Sequence, residues 1–264
     1  MTKFYRYMKT TALITGASTG IGKAIAYHHA PLGDLVLVAR SMDKLSAIKK
    51  DLEHKFATKV IVISKDLTKS NAPEEVHEEI HRLGIKIDYL INNAGLGGQG
   101  LFHQRKQSAD QQIIDLNVVA LVKLCKLFIP DFINQKQGKI LNVSSIASLS
   151  PGPLQSIYFA SKAFITSFSQ SIANELKDSG VTVTVVLPGP THTEFSNAAG
   201  MKSAKLFDNA VSAELVAKSS YEAMMKGKVK ALSGVSRLHK MIIALMPFLP
   251  NKVIGAYVMH LNKI

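Results

Sequence analysis

Thr11-Ala12-Leu13-Ile14-Thr15-Gly16-Ala17-Ser18-Thr19-Gly20-Ile21-Gly22 runs an apolar strand straight into a glycine loop and on into a helix. Glycines at 16, 20 and 22 let the backbone turn sharply and come close to a bound group. The helix that follows offers free N–H groups and the positive end of its dipole to an anion. A strand, a glycine loop and a helix in that order form a place for a dinucleotide pyrophosphate. The spacing is G-x-x-x-G-x-G rather than G-x-G-x-x-G, so the loop by itself also reads as a tight turn that needs small residues.

Outward from this segment, short β-branched runs alternate with amphipathic stretches, the pattern of a parallel sheet covered by helices. Strands are predicted over residues 11–15, 35–39, 60–64, 89–92, 140–144 and 181–187, with a weaker one over 229–232. These runs are continuously apolar, as expected where both faces of a sheet are buried. Helices are predicted over 21–30, 42–56, 73–82, 109–129, 158–178 and 213–226. Pro31 and Gly33 stop the first helix, Ser41 caps the second, and Ser70 or Asn71 before Pro73 suits a third helix start. Gly180 stands where a helix C-terminal glycine belongs. No repeat, linker or composition break divides the 264 residues. The prediction is one α/β domain, a Rossmann-type doubly wound parallel sheet of about seven strands with helices on both faces. Its core spans about residues 10–233, and a helical C-terminal extension covers 236–264.

With 47% hydrophobic and 19% charged residues the chain can fill a large core, which excludes wholesale disorder. One cysteine, Cys125, excludes an intramolecular disulfide framework and suits a reducing compartment. The basic start (Lys3, Arg6, Lys9) lacks the apolar region of a signal peptide, so a cytoplasmic location is expected. No run reaches the roughly 18 apolar residues of a membrane-spanning helix. The net charge of +13 is spread along the chain without a helix-turn-helix or zinc-finger pattern, so no nucleic-acid partner is expected. A field that draws in an anionic cofactor and substrate is the simpler account.

The end of the chain is the most lopsided in charge. After Glu222 no acidic residue follows, whereas Lys226, Lys228, Lys230, Arg237, Lys240, Lys252 and Lys263 do. Residues 241–250 and 253–261 are apolar, broken by Pro247 and Pro250. Two readings stand side by side. Terminal helices complete the substrate pocket or a subunit interface, or a basic amphipathic face meets anionic lipid or a long acyl thioester as a peripheral membrane contact.

Tyr158-Phe159-Ala160-Ser161-Lys162 places a tyrosine and a lysine one helical turn apart, on one face. A free tyrosine has a pKa of about 10, and a nearby ammonium together with a cationic nicotinamide ring is expected to lower it. Tyr158 then serves as acid in reduction and base in oxidation. Ser145, at the end of the fifth predicted strand, is placed to hold a substrate oxygen. The second strand ends at Ala39-Arg40-Ser41, where an NAD-selective fold carries an acidic residue. Ala39 cannot hold a ribose 2′-hydroxyl and Arg40 can pair with a 2′-phosphate, which favours NADP(H) over NAD(H).

These motifs, in this order, resemble the short-chain dehydrogenase/reductase superfamily, in its single-domain branch. The similarity runs from about Thr10 to Lys226. Thr15-Gly16-x-x-x-Gly20-Ile21-Gly22 is similar to that family's own phosphate loop, which accounts for the unusual spacing. The resemblance implies cofactor contacts at Gly16, Ser18, Thr19, Gly20, Ile21 and Gly22, at Arg40 and Ser41, and at Asp66 and Leu67 beside the adenine. It implies further contacts at Asn93, Ala94 and Gly95, at Tyr158 and Lys162, and at Pro188, Gly189, Thr191 and Thr193 along the nicotinamide. It also implies a catalytic tetrad of Asn117, Ser145, Tyr158 and Lys162. In it Asn117 supports a relay water, and Lys162 both tunes Tyr158 and holds ribose hydroxyls. Pro-Gly-Pro before the tyrosine and Lys-Ala-Phe after it resemble bacterial broad-range ketoreductases related to long-chain 3-oxoacyl-thioester and hydroxysteroid reductases. A homodimer or homotetramer through the long helices follows from the same resemblance.

The expected function is NADPH-dependent reduction of a ketone or aldehyde on a hydrophobic substrate. The alternatives are an NAD-dependent alcohol dehydrogenase and a catalytically silent NADP-binding protein at a membrane. Loops 96–105, 149–155 and 194–208 carry apolar residues (Leu96, Leu101, Phe102, Leu149, Leu154, Phe195, Met201, Leu206, Phe207), in keeping with an apolar substrate. His77-Glu78-Glu79-Ile80-His81 matches H-E-x-x-H, but no third ligand is evident and no metal is expected. Asn142-Val143-Ser144 matches a glycosylation acceptor on a strand expected to be buried. Cys125 is expected to pack as a small hydrophobe.

Overall fold

Strand β1 (Thr10–Thr15) divides its side chains between two cores. Ala12 and Ile14 enter one and Leu13 the other, all fully buried. That period-two alternation is what a strand covered on both faces requires. The computed structural model describes residues 9–195 and 210–262.

After β1 the chain forms α1 (Gly20–His29), β2 (Gly33–Ala39), α2 (Met42–Lys55), β3 (Val60–Ser64), α3 (Ala72–Arg82) and β4 (Tyr89–Asn92). It continues through α4 (Gln107–Ile114), a π-helical segment (Asp115–Ala120), α5 (Leu121–Asn134), β5 (Gly138–Val143), α6 (Ser156–Glu175) and β6 (Val181–Pro188). Two short strands, β7 (Thr191–His192) and β8 (Val211–Ser212), precede α7 (Ala213–Met225), β9 (Lys230–Ser233), α8 (Arg237–Leu245) and α9 (Asn251–Asn262). The main sheet has the order β3-β2-β1-β4-β5-β6-β9 and every pair in it is parallel. The order reverses between β1 and β4, so the crevice for a ligand opens at their carboxyl ends.

Each face of the sheet has its own helical layer. Val76 and Ile80 of α3, Leu124 and Phe128 of α5 and Ile165 of α6 cover Leu13, Val36 and Ile140. On the other side Ile25 of α1, Leu45 and Leu52 of α2 and Met224 of α7 cover Ile14, Leu35 and Leu37. Each fully buried Leu or Ile contributes about 1.5–3 kcal/mol. Buried polar groups are paired across the layers: His29 of α1 bonds the Tyr221 hydroxyl of α7 at 2.8 Å, and Thr11 N donates to Asp88 at 2.8 Å.

All seven predicted strands and all six predicted helices form. Gly33 does more than stop a helix. It opens β2 against Thr10 O so closely that a side chain there would collide with that carbonyl. Ser41 caps α2, accepting from Lys44 N at 3.4 Å. The helix predicted over 109–129 is corrected in two respects. It widens to π geometry over Asp115–Ala120, and it runs through Pro130 to Asn134. Pro130 deprives the Lys126 carbonyl of its helical donor, and Lys126 lies on the exposed side of the helix.

Candidate active site

The glycine loop is built as the spacing requires. Gly16 and Gly20 have positive φ, 65° and 53°, a conformation that side chains other than glycine rarely adopt. A methyl on Gly16 would stand 2.8 Å from Ala94 Cα, and one on Gly22 would collide with Asn93 and Gly16 O. Thr15 knits this loop to the end of β4, its Oγ1 accepting from Asn93 N and Ala94 N at 3.0 Å each. The Asn93 amide returns the contact by donating to Thr15 O and Gly16 O at 3.0 and 3.1 Å. At the start of α1 the Thr19 side chain makes no cap and the first turn holds no acidic residue. The N–H groups of that turn are therefore left to an anion. These features fit a dinucleotide pyrophosphate.

Helix α6, which carries Tyr158 and Lys162, is registered by a buried polar chain across the sheet. Asn92 Nδ2 donates to Asn142 Oδ1 at 2.9 Å, and Asn142 Nδ2 donates to Ser169 Oγ at 2.9 Å. Ser144 Oγ donates to Lys162 O at 2.9 Å and meets Thr166 Oγ1 at 2.7 Å. Tyr158 and Lys162 consequently project into one space, with Lys162 Nζ 5.8 Å from the centre of the Tyr158 ring. Lys162 is buried, and its ammonium donates to Val143 O at 2.9 Å. Burial brings its pKa down to about 8. Tyr158 is pushed up to about 12 by burial, against the opposing effect of a hydrogen bond from Ser145. The expected lowering of the tyrosine pKa is therefore not a property of the protein by itself, because desolvation penalises the phenolate more than Ser145 favours it. Ser145 also accepts from Ala147 N at 3.1 Å, which fixes its backbone turn.

Asn117 lies in the π-helical segment and is buried. Its amide donates to Leu96 O at 2.9 Å and to Ser161 Oγ at 3.0 Å, and its Oδ1 accepts from Leu96 N at 2.8 Å. Both sides of Leu96 are thus clamped beside the tetrad. Gly95 occupies the junction: a methyl there would be 3.4 Å from Asn117 Oδ1 and 3.5 Å from Lys162 Nζ.

At the other end of the crevice Arg40 is exposed at the tip of β2. Asp66 follows β3 and is held below the usual carboxylate range. Burial opposes this, and hydrogen bonds from Thr68 N (3.1 Å) and Thr68 Oγ1 (2.9 Å), with Arg40 and Lys69 nearby, outweigh it. Leu67 is buried in the core, so only its backbone is available to a ligand, and the Ser41 hydroxyl is engaged as a helix cap. After β6, Gly189 N donates to Ser233 O at 2.9 Å and Thr191 Oγ1 donates to Gly189 O at 2.8 Å. Thr193 packs over the glycine loop, where a methyl on Gly20 would approach its Cγ2 to 2.9 Å. Lys44 of α2 pairs with Glu194 at 2.9 Å and ties the same segment to the far side of the crevice. Residues 196–208 of the third predicted substrate loop, with Met201, Leu206 and Phe207, lie outside the described residues.

Several contributors carry no sequence motif. Phe195 packs on Tyr158 with ring centres 5.4 Å apart. Ile254 and Val258 of α9 are buried with Ala147 and Phe159, and Tyr158 and Met246 pack against that cluster. Asn262 anchors this helix, donating to Pro153 O at 3.0 Å and accepting from Gln155 Nε2 at 2.8 Å. Ser161 and the Val143 carbonyl are likewise backbone-placed partners that spacing does not disclose.

The H-E-x-x-H segment requires a correction. Asp131 of α5 supplies a third group, 3.1 Å from Nε2 of both His77 and His81, whose own Nε2 atoms are 3.0 Å apart. Asp131 stands fourteen residues beyond Asn117, roughly 20 Å along a helical axis, so the cluster is remote from the tetrad. Asn142 is fully buried, as expected. Cys125 is buried as well, and burial pushes its thiol up to about 12.

A family model described as short chain dehydrogenase matches residues 10–204. The mouse 17-beta-hydroxysteroid dehydrogenase type 3 is 34% identical over 215 residues, which cover 80% of this chain and 70% of that protein. The rat and human proteins of that name are matched over only 61% and 60% of their own lengths. The human very-long-chain 3-oxoacyl-CoA reductase is 28% identical over 264 residues, covering 96% of this chain and 79% of that one. Among solved structures, a short-chain dehydrogenase from Sphingobium yanoikuyae in complex with NADPH superposes with a TM-score of 0.81 at 30% identity, covering 91% of this chain and 96% of that one. With its glycine loop, sheet order and Tyr158–Lys162 helix, the chain belongs to the short-chain dehydrogenase/reductase family of oxidoreductases, which act on CH–OH and C=O groups.

Proposed function

We propose that this protein reduces a ketone or aldehyde group of an apolar substrate to the alcohol, with NADPH as the reductant. The observation that carries the reading is the shared space of Tyr158, Lys162 and Ser145 beside Gly95, at the carboxyl edge of the sheet. Bound at this crevice, the reduced nicotinamide supplies the hydride that adds to the carbonyl carbon. Tyr158, a phenol held protonated by its burial, gives its proton to the carbonyl oxygen as the C–O double bond becomes single. Ser145 donates a hydrogen bond to that oxygen and orients it. Lys162 holds the ribose and supplies positive charge beside Tyr158. Asn117 fixes the Leu96 backbone and supports the path that returns a proton to Tyr158. Neither the acid nor the oxygen-binding group in this scheme is a metal.

NADPH is favoured over NADH because Arg40 stands exposed at the end of β2, where no carboxylate is available at position 39 or 41 to bind a ribose 2′-hydroxyl. The glycine loop, Asp66, the Asn93 to Gly95 turn and the Pro188 to Thr193 segment complete the cofactor contacts. The relatives' names, a hydroxysteroid dehydrogenase and a very-long-chain acyl-CoA reductase, fit an apolar substrate, as do the apolar walls from Phe195, Ile254 and Val258. Val119 of the π-helical segment, Ile133 of α5 and Phe164 of α6 are exposed, which supports a homodimer or homotetramer through these helices.

Replacing Tyr158 by Phe removes the acid and leaves the cofactor crevice intact. Turnover of a ketone in an NADPH-consumption assay is expected to fall by roughly 10²–10⁴-fold. NADPH binding, measured by fluorescence titration, should remain; residual turnover within tenfold of the parent overturns the assignment. For the cofactor, Arg40→Asp should weaken NADPH by about 10–100-fold, the range of a charge-assisted hydrogen bond. NADH should be used as well as before or better; an unchanged NADPH preference would refute the role of Arg40.

A further inference from the structure

Among the described residues, none of helix α8 belongs to the buried cores. Leu238, Met241, Ile242 and Leu245 are all exposed, and the chain beyond continues with Phe248, 82% exposed, and Leu249. Val253 and Tyr257 of α9 are exposed too, while Ile254 and Val258 on the same helix are buried beside Tyr158 and Phe159. α9 therefore carries buried apolar residues that pack beside Tyr158 and exposed ones that face solvent, and the Met246–Phe248 turn joins it to α8 in the chain. Leu238, Met241, Ile242 and Leu245 recur at helical spacing and form one exposed apolar face of α8, and such a face on a folded chain marks an interaction site.

Its charge says what covers it. Lys240 and Lys252 are exposed among these residues, and no acidic residue follows Glu222. A second copy of the same surface would oppose positive charge to positive charge with no carboxylate of its own to neutralise it. An anionic bilayer supplies both an apolar interior and negative headgroups. We propose that α8, the Met246–Phe248 turn and the outer face of α9 dock on an anionic lipid surface. In that position an apolar ketone dissolved in the bilayer reaches the catalytic space past α9 without crossing water. Only this delivery step rests on the ketoreductase reading; the docking does not.

Full-length protein is tested by flotation with vesicles of phosphatidylcholine alone and of phosphatidylcholine with phosphatidylglycerol. The wild type should float with the anionic vesicles and bind the zwitterionic ones at least about tenfold less. Phe248→Asp and Leu238→Glu, both at exposed positions, should abolish flotation with no change in melting temperature. The double variant Lys240→Glu/Lys252→Glu should bind anionic vesicles like zwitterionic ones. Equal flotation of Phe248→Asp and wild type overturns the proposal. So does a wild type that ignores both vesicles while sedimenting as an oligomer that Phe248→Asp dissociates, since the surface is then a contact between copies. NADPH consumption with a short water-soluble ketone should be the same for wild type and Phe248→Asp. Loss of that activity in the wild type itself would count against the reductase reading and leave lipid binding standing.

Discussion

Lys162 and Tyr158 are displaced from their ordinary pKa values by one cause, burial, and the displacement has opposite signs because one is a cation and the other an anion when charged. At neutral pH the pair is an ammonium and a phenol. The phenol, at about 12, stays protonated throughout the working range, and the ammonium, at about 8, does not. Since kcat/KM reports the free enzyme, its value for NADPH should hold below pH 8 and fall above it as Lys162 loses its charge. A profile measured from pH 6 to 10 checks this, and a flat line to pH 10 would remove Lys162 as the controlling group. Sequence spacing was enough to place Tyr158 beside Lys162, because four residues on a helix share a face. It could not disclose the sign of the tyrosine shift, which depends on how much water the finished fold excludes. Nor could it disclose Val143 O or Ser161 as partners, since a backbone carbonyl has no residue signature.

At the scale of elements, continuous apolar runs predicted the strands well, since β3 and β4 start and stop where the pattern does. Helix ends were legible where a cap marks them, as at Ser41, and less so where packing overrides local preference. Pro130 reads as a stop, yet Phe128 and Phe132 on either side of it are both buried in the same core, and their burial carries α5 through. The π-helical segment has no periodicity of its own within six residues, so Asn117 was predicted on an ordinary helix. Its wider turn matters, because Asn117 there reaches both backbone groups of Leu96. The two-residue ladder of β7 and β8 was likewise invisible, being too short to alternate. Yet it closes the base of the segment that carries Thr193 and Phe195 to the crevice.

At the scale of the molecule, the two apolar layers share every central strand, so neither can come apart without the other. Leu13 belongs to one and its neighbours Ala12 and Ile14 to the other. The crevice proposed for the cofactor draws on both halves of the chain, with the glycine loop after β1 lying against Ala94 after β4 and Thr193 after β6. Folding should therefore be a single cooperative event, and a ligand in that crevice should stabilise the whole sheet rather than one half. At NADPH a hundredfold above its Kd the gain is about 2.7 kcal/mol. For a domain of this size that raises the melting temperature by about 5–10 °C. Calorimetry with and without NADPH reads both points together. One transition that moves upward as a unit is the expected result. Two separable transitions would mean that the glycine-loop half and the Tyr158 half are independent units, and an unmoved single transition would mean that the crevice is not an NADPH site.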